Sequence, residues 1–185
     1  MIDEALKDAE DKMRKAIEVT REDFVGVRTG RASPALVQRI TVDYYGAQTP
    51  LQQLAGISVP DPRTLQISPY DRSSIAAIEK AIQSSDLGIT PNNDGTVIRL
   101  GFPALTQERR KELIKLVKDR AEHGRVAIRS IRRHAKDTLE KDRKDGHVSE
   151  DDVARAEKEL QKLTDRLIGE IDDMLARKEA ELMEV

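Results

Sequence analysis

No cysteine and no tryptophan occur in the 185 residues, and only 3% of the side chains are aromatic. Without cysteine there are no disulfides, no thiolate metal sites and no cysteine nucleophile. A chain that manages without disulfides suits a reducing compartment. Long apolar runs are missing too: none exceeds a handful of residues, so no membrane span is expected. The opening Met1-Ile2-Asp3-Glu4 places acids where a secretory signal needs basic and then apolar residues. The expectation is a soluble, cytoplasmic protein. Its formal net charge of −2 gives no reason, as an average, to expect a nucleic-acid partner.

Proline is absent from most of the chain, and where it is present marks a boundary. All seven prolines (34, 50, 60, 62, 69, 91 and 103) lie between residues 30 and 105, with six of the ten glycines and four of the five aromatics. That segment carries 12 charged side chains in 76 positions; the other 109 positions carry 54. Proline removes a backbone donor and clashes with the preceding helical turn, so a proline-free, charge-dense composition belongs to long helices. The expected division is residues 1–29 with 106–185 as one helical domain, and 30–105 as an inserted domain.

Apolar spacing refines the helical part. Ile2, Leu6, Ala9, Met13, Ala16, Thr20, Phe24 and Val27 recur at intervals of three and four, the mark of an amphipathic helix. Ile114, Val117, Ala121, Gly124, Ile128, Ile131 and Ala135 do the same after a candidate N-cap at Thr106, and Gly146 offers a left-handed stop. A third helix starts at a Ser149 cap, with Asp152 as a capping-box acid and a Val148–Val153 staple. Its seam is Val153, Ala156, Leu160, Leu163, Leu167, Ile171 and Met174. The three-residue turn at 146–148 makes the last two helices antiparallel neighbours, and seams this narrow predict an antiparallel three-helix bundle.

The insertion alternates apolar and polar residues at 40–44, 64–67 and 97–100, with an Asn93-Asp94-Gly95 turn and a short helix near 73–84. The fold class is therefore α+β: a three-helix bundle carrying a small inserted α/β (β/α/β) domain. The chain crosses between the two at Arg28, Thr29, Gly30 and Arg31 and again at Ala104, Leu105 and Thr106, a candidate hinge.

Charge is unevenly spread. Residues 123–136 hold Arg125, Arg129, Arg132, Arg133 and Lys136 and no acid. At 100° per residue, Lys118, Arg125, Arg129, Arg132, Lys136 and Arg143 share one stripe beside the apolar seam. A planar guanidinium donates two parallel bonds to phosphate, and a rigid basic rod without aromatic stacking residues suits structured RNA. The competing reading is a solvated face paired with acids of neighbouring helices, the usual fate of such stripes; the acid-free run favours a binding surface. His123 and His134 are about three helical turns apart, too far to share a metal, so they and His147 read as surface or boundary histidines, and Asp172-Asp173 reads as solvent-facing. No phosphate loop, dinucleotide fingerprint, zinc spacing or nucleophile elbow is present, so no catalytic residue is assigned.

Seven separated stretches, RTGRASP (28–34), VDYYG (42–46), SDLG (85–88), ERRKEL (108–113), RVAIRSIRR (125–133), SEDD (149–152) and KEAELM (178–183), resemble bacterial ribosome recycling factors in order and over the whole length. The resemblance implies an L-shaped, non-enzymatic monomer without cofactors. It would bind the 23S rRNA of the large ribosomal subunit and work with elongation factor G, whose own GTP hydrolysis drives the splitting of post-termination ribosomes. It also implies rRNA contacts from Arg110, Arg129, Arg132 and Arg133; Arg125 joins them on the stripe argument. Two other functions fit the composition: a helical protein-interaction adaptor with an accessory domain, and a hydrolase using an inter-domain cleft. Steep salt dependence of large-subunit binding separates the first reading from the adaptor, and ribosome-independent turnover would mark the enzyme.

Overall fold

Three long helices form because three charge-dense stretches each present one apolar line. In the computed structural model, which describes residues 1–27 and 29–184, they are α1 (Ile2–Val25), α4 (Gln107–Lys144) and α5 (Glu150–Met183). Between them lie a single-turn helix α2 (Leu51–Leu54), the helix α3 (Ile75–Ser84) and six strands: β1 (Thr41–Tyr44), β2 (Ala47–Pro50), β3 (Ala55–Asp61), β4 (Thr64–Pro69), β5 (Asn92–Asn93) and β6 (Ile98–Gly101). The chain divides into two compact units, Met1–Arg28 with Thr106–Val185, and Thr29–Leu105. No helix among the described residues is long and apolar enough to cross a membrane.

Within the bundle, Arg14 of α1 bonds Glu170 of α5 while Glu10 faces Arg166, so these two helices run parallel. Thr20 meets Gly124, whereas Ala5 and Ala9 line a groove with Ile131 and Thr138, so α4 runs antiparallel to α1. The buried line differs from the predicted seam in places. On α1, Ile17 is buried and Ala16 only half-buried; on α4, Leu113 and Leu139 are buried while Ile114 and Ile131 are half-buried. On α5, Thr164 replaces Leu163 and Leu182 closes the far end, with Met174 half-buried. Each exchange is between sequence neighbours that fit the same anchors at a spacing of three or four: Met13 and Thr20 flank both Ala16 and Ile17, and Leu160 and Leu167 flank both Leu163 and Thr164.

The helix ends are chemically defined. Thr106 accepts a bond from the Arg109 N–H at 3.0 Å and Ser149 from the Asp152 N–H at 3.1 Å, each satisfying a free first-turn donor. Gly146 adopts φ +78°, the left-handed stop. Val148 and Val153 pack together with Leu139 and Ala156 as the staple requires. Asp152 does not reach back to close a capping box, because its carboxylate pairs with Arg155. The first helix stops at Val25, capped by Gly26 in a right-handed conformation, earlier than the periodicity suggested.

Gly124 marks a close approach within the bundle. A Cβ placed there would lie 2.4 Å from Thr20 Oγ1 and 2.9 Å from Ile171 Cδ1, so glycine lets α1, α4 and α5 meet at one level. Thr20 is itself buried, and its hydroxyl donates back to the Ala16 carbonyl at 3.0 Å.

The inserted unit is richer in strands than expected, and every pairing is antiparallel. β1 and β2 form a hairpin; the other four strands form a sheet in the order β3-β4-β6-β5. Opposed pairs Ile57–Ile67, Leu65–Leu100 and Ile67–Ile98 stack apolar side chains across it. Ile75, Ile78 and Ile82 of α3 join Val42, Leu51, Leu65, Ile67, Ile98 and Leu100 in one core. The β1–β2 turn places Tyr45 at φ +49° and Gly46 at φ +83°, two consecutive left-handed residues as a tight hairpin demands.

Candidate nucleic-acid interface

Helix α4 carries the basic stripe. Its 38 residues make a rod of about 57 Å at 1.5 Å per residue. Glu108 sits in its first turn and Lys141, Arg143 and Lys144 in its last, each sign suited to its end of the helix dipole.

The structure divides the stripe into tied and open cations. Arg125 is tied: Nε donates to Asp172 Oδ1 at 2.8 Å, Nη2 lies 2.7 Å from the same oxygen, and Nη1 donates to Glu122 Oε2 at 3.2 Å. Its side chain is only 19% exposed. Burial acts to lower the Arg125 pKa, but the bonds to Asp172 and Glu122 outweigh it and leave the guanidinium more firmly protonated. Arg129 Nη1 donates to the other oxygen of Glu122 at 3.1 Å. Bonds from Arg125 first, then Arg129, hold the Glu122 carboxyl below its ordinary pKa. Farther out, Lys118 stands 3.9 Å from Glu179 and Arg143 bonds Glu140 at 3.1 Å.

Arg132, Arg133 and Lys136 are different. Among the described residues no carboxylate pairs with any of the three. Arg133 and Lys136 are exposed, and Arg132 is half-buried at the edge of the seam. Their three fixed charges lie within about 6 Å of helix rise. Arg110, near the start of α4, is half-buried, and its Nε is enclosed without a hydrogen-bond partner. The acid-free run of sequence is thus only partly an acid-free surface: its first two arginines are neutralised from Glu122 and Asp172, and its last three cations are not.

Glu122 and Asp172 are the residues that reading the sequence missed. Glu122 had a signal, being three residues before Arg125 on the same helix. Asp172 had none, because it comes from α5, 47 positions away. Asp172 is exposed, as expected, and in addition braces α5 against α4 through Arg125.

At the crossings, Arg28 lies outside the described residues. Gly30 takes φ +77°, and a Cβ on it would stand 3.3 Å from Leu105 Cγ and 3.4 Å from the Pro103 carbonyl. Thr29, Gly30, Ala104 and Leu105 belong to the inserted unit, while Thr106 caps α4. Arg31 is exposed. Nearby, the Ala32 N–H donates to the Pro62 carbonyl and the Phe102 N–H to the Arg63 carbonyl, both at 2.8 Å, tying both crossings to the sheet. Among the described residues, no group of His, Cys, Asp or Glu is placed to hold a metal ion.

Comparison with known proteins gives one family. The model of the family described as "Ribosome recycling factor" matches residues 20–183. Curated ribosome-recycling factors of Acidothermus cellulolyticus and Thermobifida fusca are 59% and 55% identical over 185 residues, with full coverage of both chains. A solution structure of a ribosome recycling factor aligns with a TM-score of 0.82 at 42% identity, covering all of this chain and 98% of the other. A second match, with a TM-score of 0.66, 46% identity and full coverage of both chains, is a Thermus thermophilus ribosome recycling factor. It is described together with Escherichia coli elongation factor G, bound to the Escherichia coli post-termination complex.

Proposed function

The chain belongs to the ribosome recycling factor family, and from that premise we propose that it splits post-termination ribosomes together with elongation factor G. Subunits are thereby freed from messenger RNA and deacylated transfer RNA. The family is one of non-enzymatic translation factors, so the chain contributes binding and leverage, and the GTP is hydrolysed by the partner. In this reading it acts as a cytoplasmic monomer without a cofactor.

The observation that carries the reading is the group of open cations in the second half of α4. Arg132, Arg133 and Lys136 stand on a rigid rod with no carboxylate partner among the described residues, a disposition suited to the phosphates of 23S rRNA. Arg110 joins them as a contact near the start of α4. Arg129 is available once it leaves Glu122. Arg125 serves as a brace between α4 and α5, since carboxylates already occupy its donors. Residues 1–29 with 106–185 act as the ribosome-binding domain and 30–105 as the head that receives force, with residues 28–31 and 104–106 as the hinge.

A subunit-dissociation assay tests this. Splitting is expected only when the chain, elongation factor G and GTP are all present. Splitting that persists when the chain is omitted, or that needs no GTP, overturns the reading. Binding of the chain to isolated large subunits should weaken steeply with salt; a flat salt response would favour a protein-docking adaptor instead.

A further inference from the structure

The Glu122 carboxylate lies inside the arginine face that the rest of α4 presents. Its two oxygens are divided between Arg125 at 3.2 Å and Arg129 at 3.1 Å. Around the helix it falls between Arg129 and Arg133, taking 100° per residue. The two bonds differ in permanence. Arg125 is 19% exposed and anchored by Asp172 from α5, whereas Arg129 and Glu122 are 45% and 51% exposed. A ligand can therefore draw Arg129 away, while Arg125 still holds the carboxylate in place. Any phosphate that engages Arg129 arrives beside a fixed negative charge.

Resting on the RNA-binding reading above, we infer that Glu122 sets the selectivity of this face: it competes with phosphate for Arg129 and repels RNA that offers phosphates alone. Non-specific binding to duplex RNA is a sum of loosely placed cation–phosphate contacts and their released counterions. A carboxylate among the cations subtracts from that sum wherever the RNA lands. A partner that fixes the register of the helix decides which donor meets which phosphate. It can reach Arg132, Arg133 and Lys136 while leaving Glu122 against a ribose hydroxyl, a donor that RNA supplies. Glu122 thus acts as a specificity-determining residue through Arg129.

The test compares the intact chain with Glu122→Gln on two ligands, a short RNA duplex of unrelated sequence and isolated large ribosomal subunits, across a range of salt. Glu122→Gln should bind the duplex about two- to fivefold more tightly, the range that loss of an exposed ion pair spans. Its log–log salt slope should steepen by about one counterion. The gain on large subunits should be smaller, and Glu122→Asp, which keeps the charge, should restore the shallow slope. A merely structural role would lower the melting temperature and leave the slope unchanged. Unchanged or weaker duplex binding, or an equal gain on both ligands, overturns the inference. Arg132→Ala measured in parallel separates the two levels: if it leaves large-subunit binding intact, the RNA-face reading itself fails. If it weakens binding while Glu122→Gln has no effect, only the role of Glu122 fails.

Discussion

The bundle and the inserted unit solve the same problem with opposite means. The bundle buries narrow lines of side chains on helices whose other faces are mostly charged, so much of its surface chemistry consists of ion pairs between and along helices. The inserted unit has few charges and gathers isoleucine, leucine and valine into one core shared by the four-stranded sheet, the β1–β2 hairpin, α2 and α3. It spends its polar groups on turns, as where Asp94 accepts bonds from the Thr96 and Val97 N–H groups. The comparison teaches where a change will be felt. In the inserted unit, loss of core volume should dominate; in the bundle, the spacing of three backbones and the pairing of charges should dominate.

The strongest test of that contrast is Ile67→Ala, which removes a fully buried side chain at the centre of the four-stranded sheet. A loss of about 2–5 kcal/mol is expected. Hydrogen exchange should show it in β3, β4 and β6, with bundle amides keeping their protection. A matching loss of protection in α4 and α5 would mean that the two units do not hold separate cores.

Gly124→Ala is next. Alanine is the better helix former by about 1 kcal/mol, yet its methyl would enter the space of Thr20 and Ile171. Overpacking of this kind costs about 1–3 kcal/mol, so the melting temperature should fall. A rise would show that the three helices are free to move apart at this level.

The third test lies within the stripe. Arg125→Ala should reduce bundle stability by roughly 1 kcal/mol, given that its partners are half exposed, with the stripe's remaining cations still present. Arg132→Ala should leave the melting temperature near that of the parent and weaken large-subunit binding. A reversal of these two phenotypes would exchange the roles of brace and contact.

The smallest effect concerns acid. Bonds from the backbone of Val97, then Thr96, then the Arg99 side chain hold the Asp94 pKa down to about 2, against 3.8 for the free side chain. A carboxylate depressed by folding stabilises above the unfolded value and loses that contribution as pH falls through the folded one. Unfolding of the inserted unit between pH 4 and 2 should therefore show an increment that Asp94→Asn lacks. An identical pH profile for the two would remove Asp94 from the account.

The sequence made the bundle legible because one-dimensional spacing determines which helix face is buried, and the cap residues Thr106, Ser149 and Gly146 are local signals. It missed Ile17 and Leu113 because a step of three and a step of four both keep a residue on the buried face, so Ala16 or Ile17 after Met13, and Ile114 or Leu113 before Val117, fit the pattern equally. In the inserted unit, β4, β6 and α3 were legible from their own alternation and periodicity. Strand β2 was not, because Ala47-Gln48-Thr49-Pro50 has no apolar face and exists through its pairing with β1. Strand β3 was obscured by Pro60, which sits where the register with β4 shifts. The stripe was visible as a run of arginines, but its division into tied and open cations was not. That division depends on Asp172, which the fold brings in from another helix.

The interruption of the bundle by the inserted unit also fixes an order of events during synthesis. Helix α1 leaves the ribosome first, but every residue that covers Met13, Ile17 and Phe24 from the other helices lies beyond position 105. Roughly eighty residues separate α1 from the start of α4, which at 5–20 residues per second is about 4–16 s of translation. By the end of that interval the inserted unit has all of its own chain, while the first helix still has no partner for its apolar line. The protein therefore begins its existence head first, with the bundle closing only as the last helix is made.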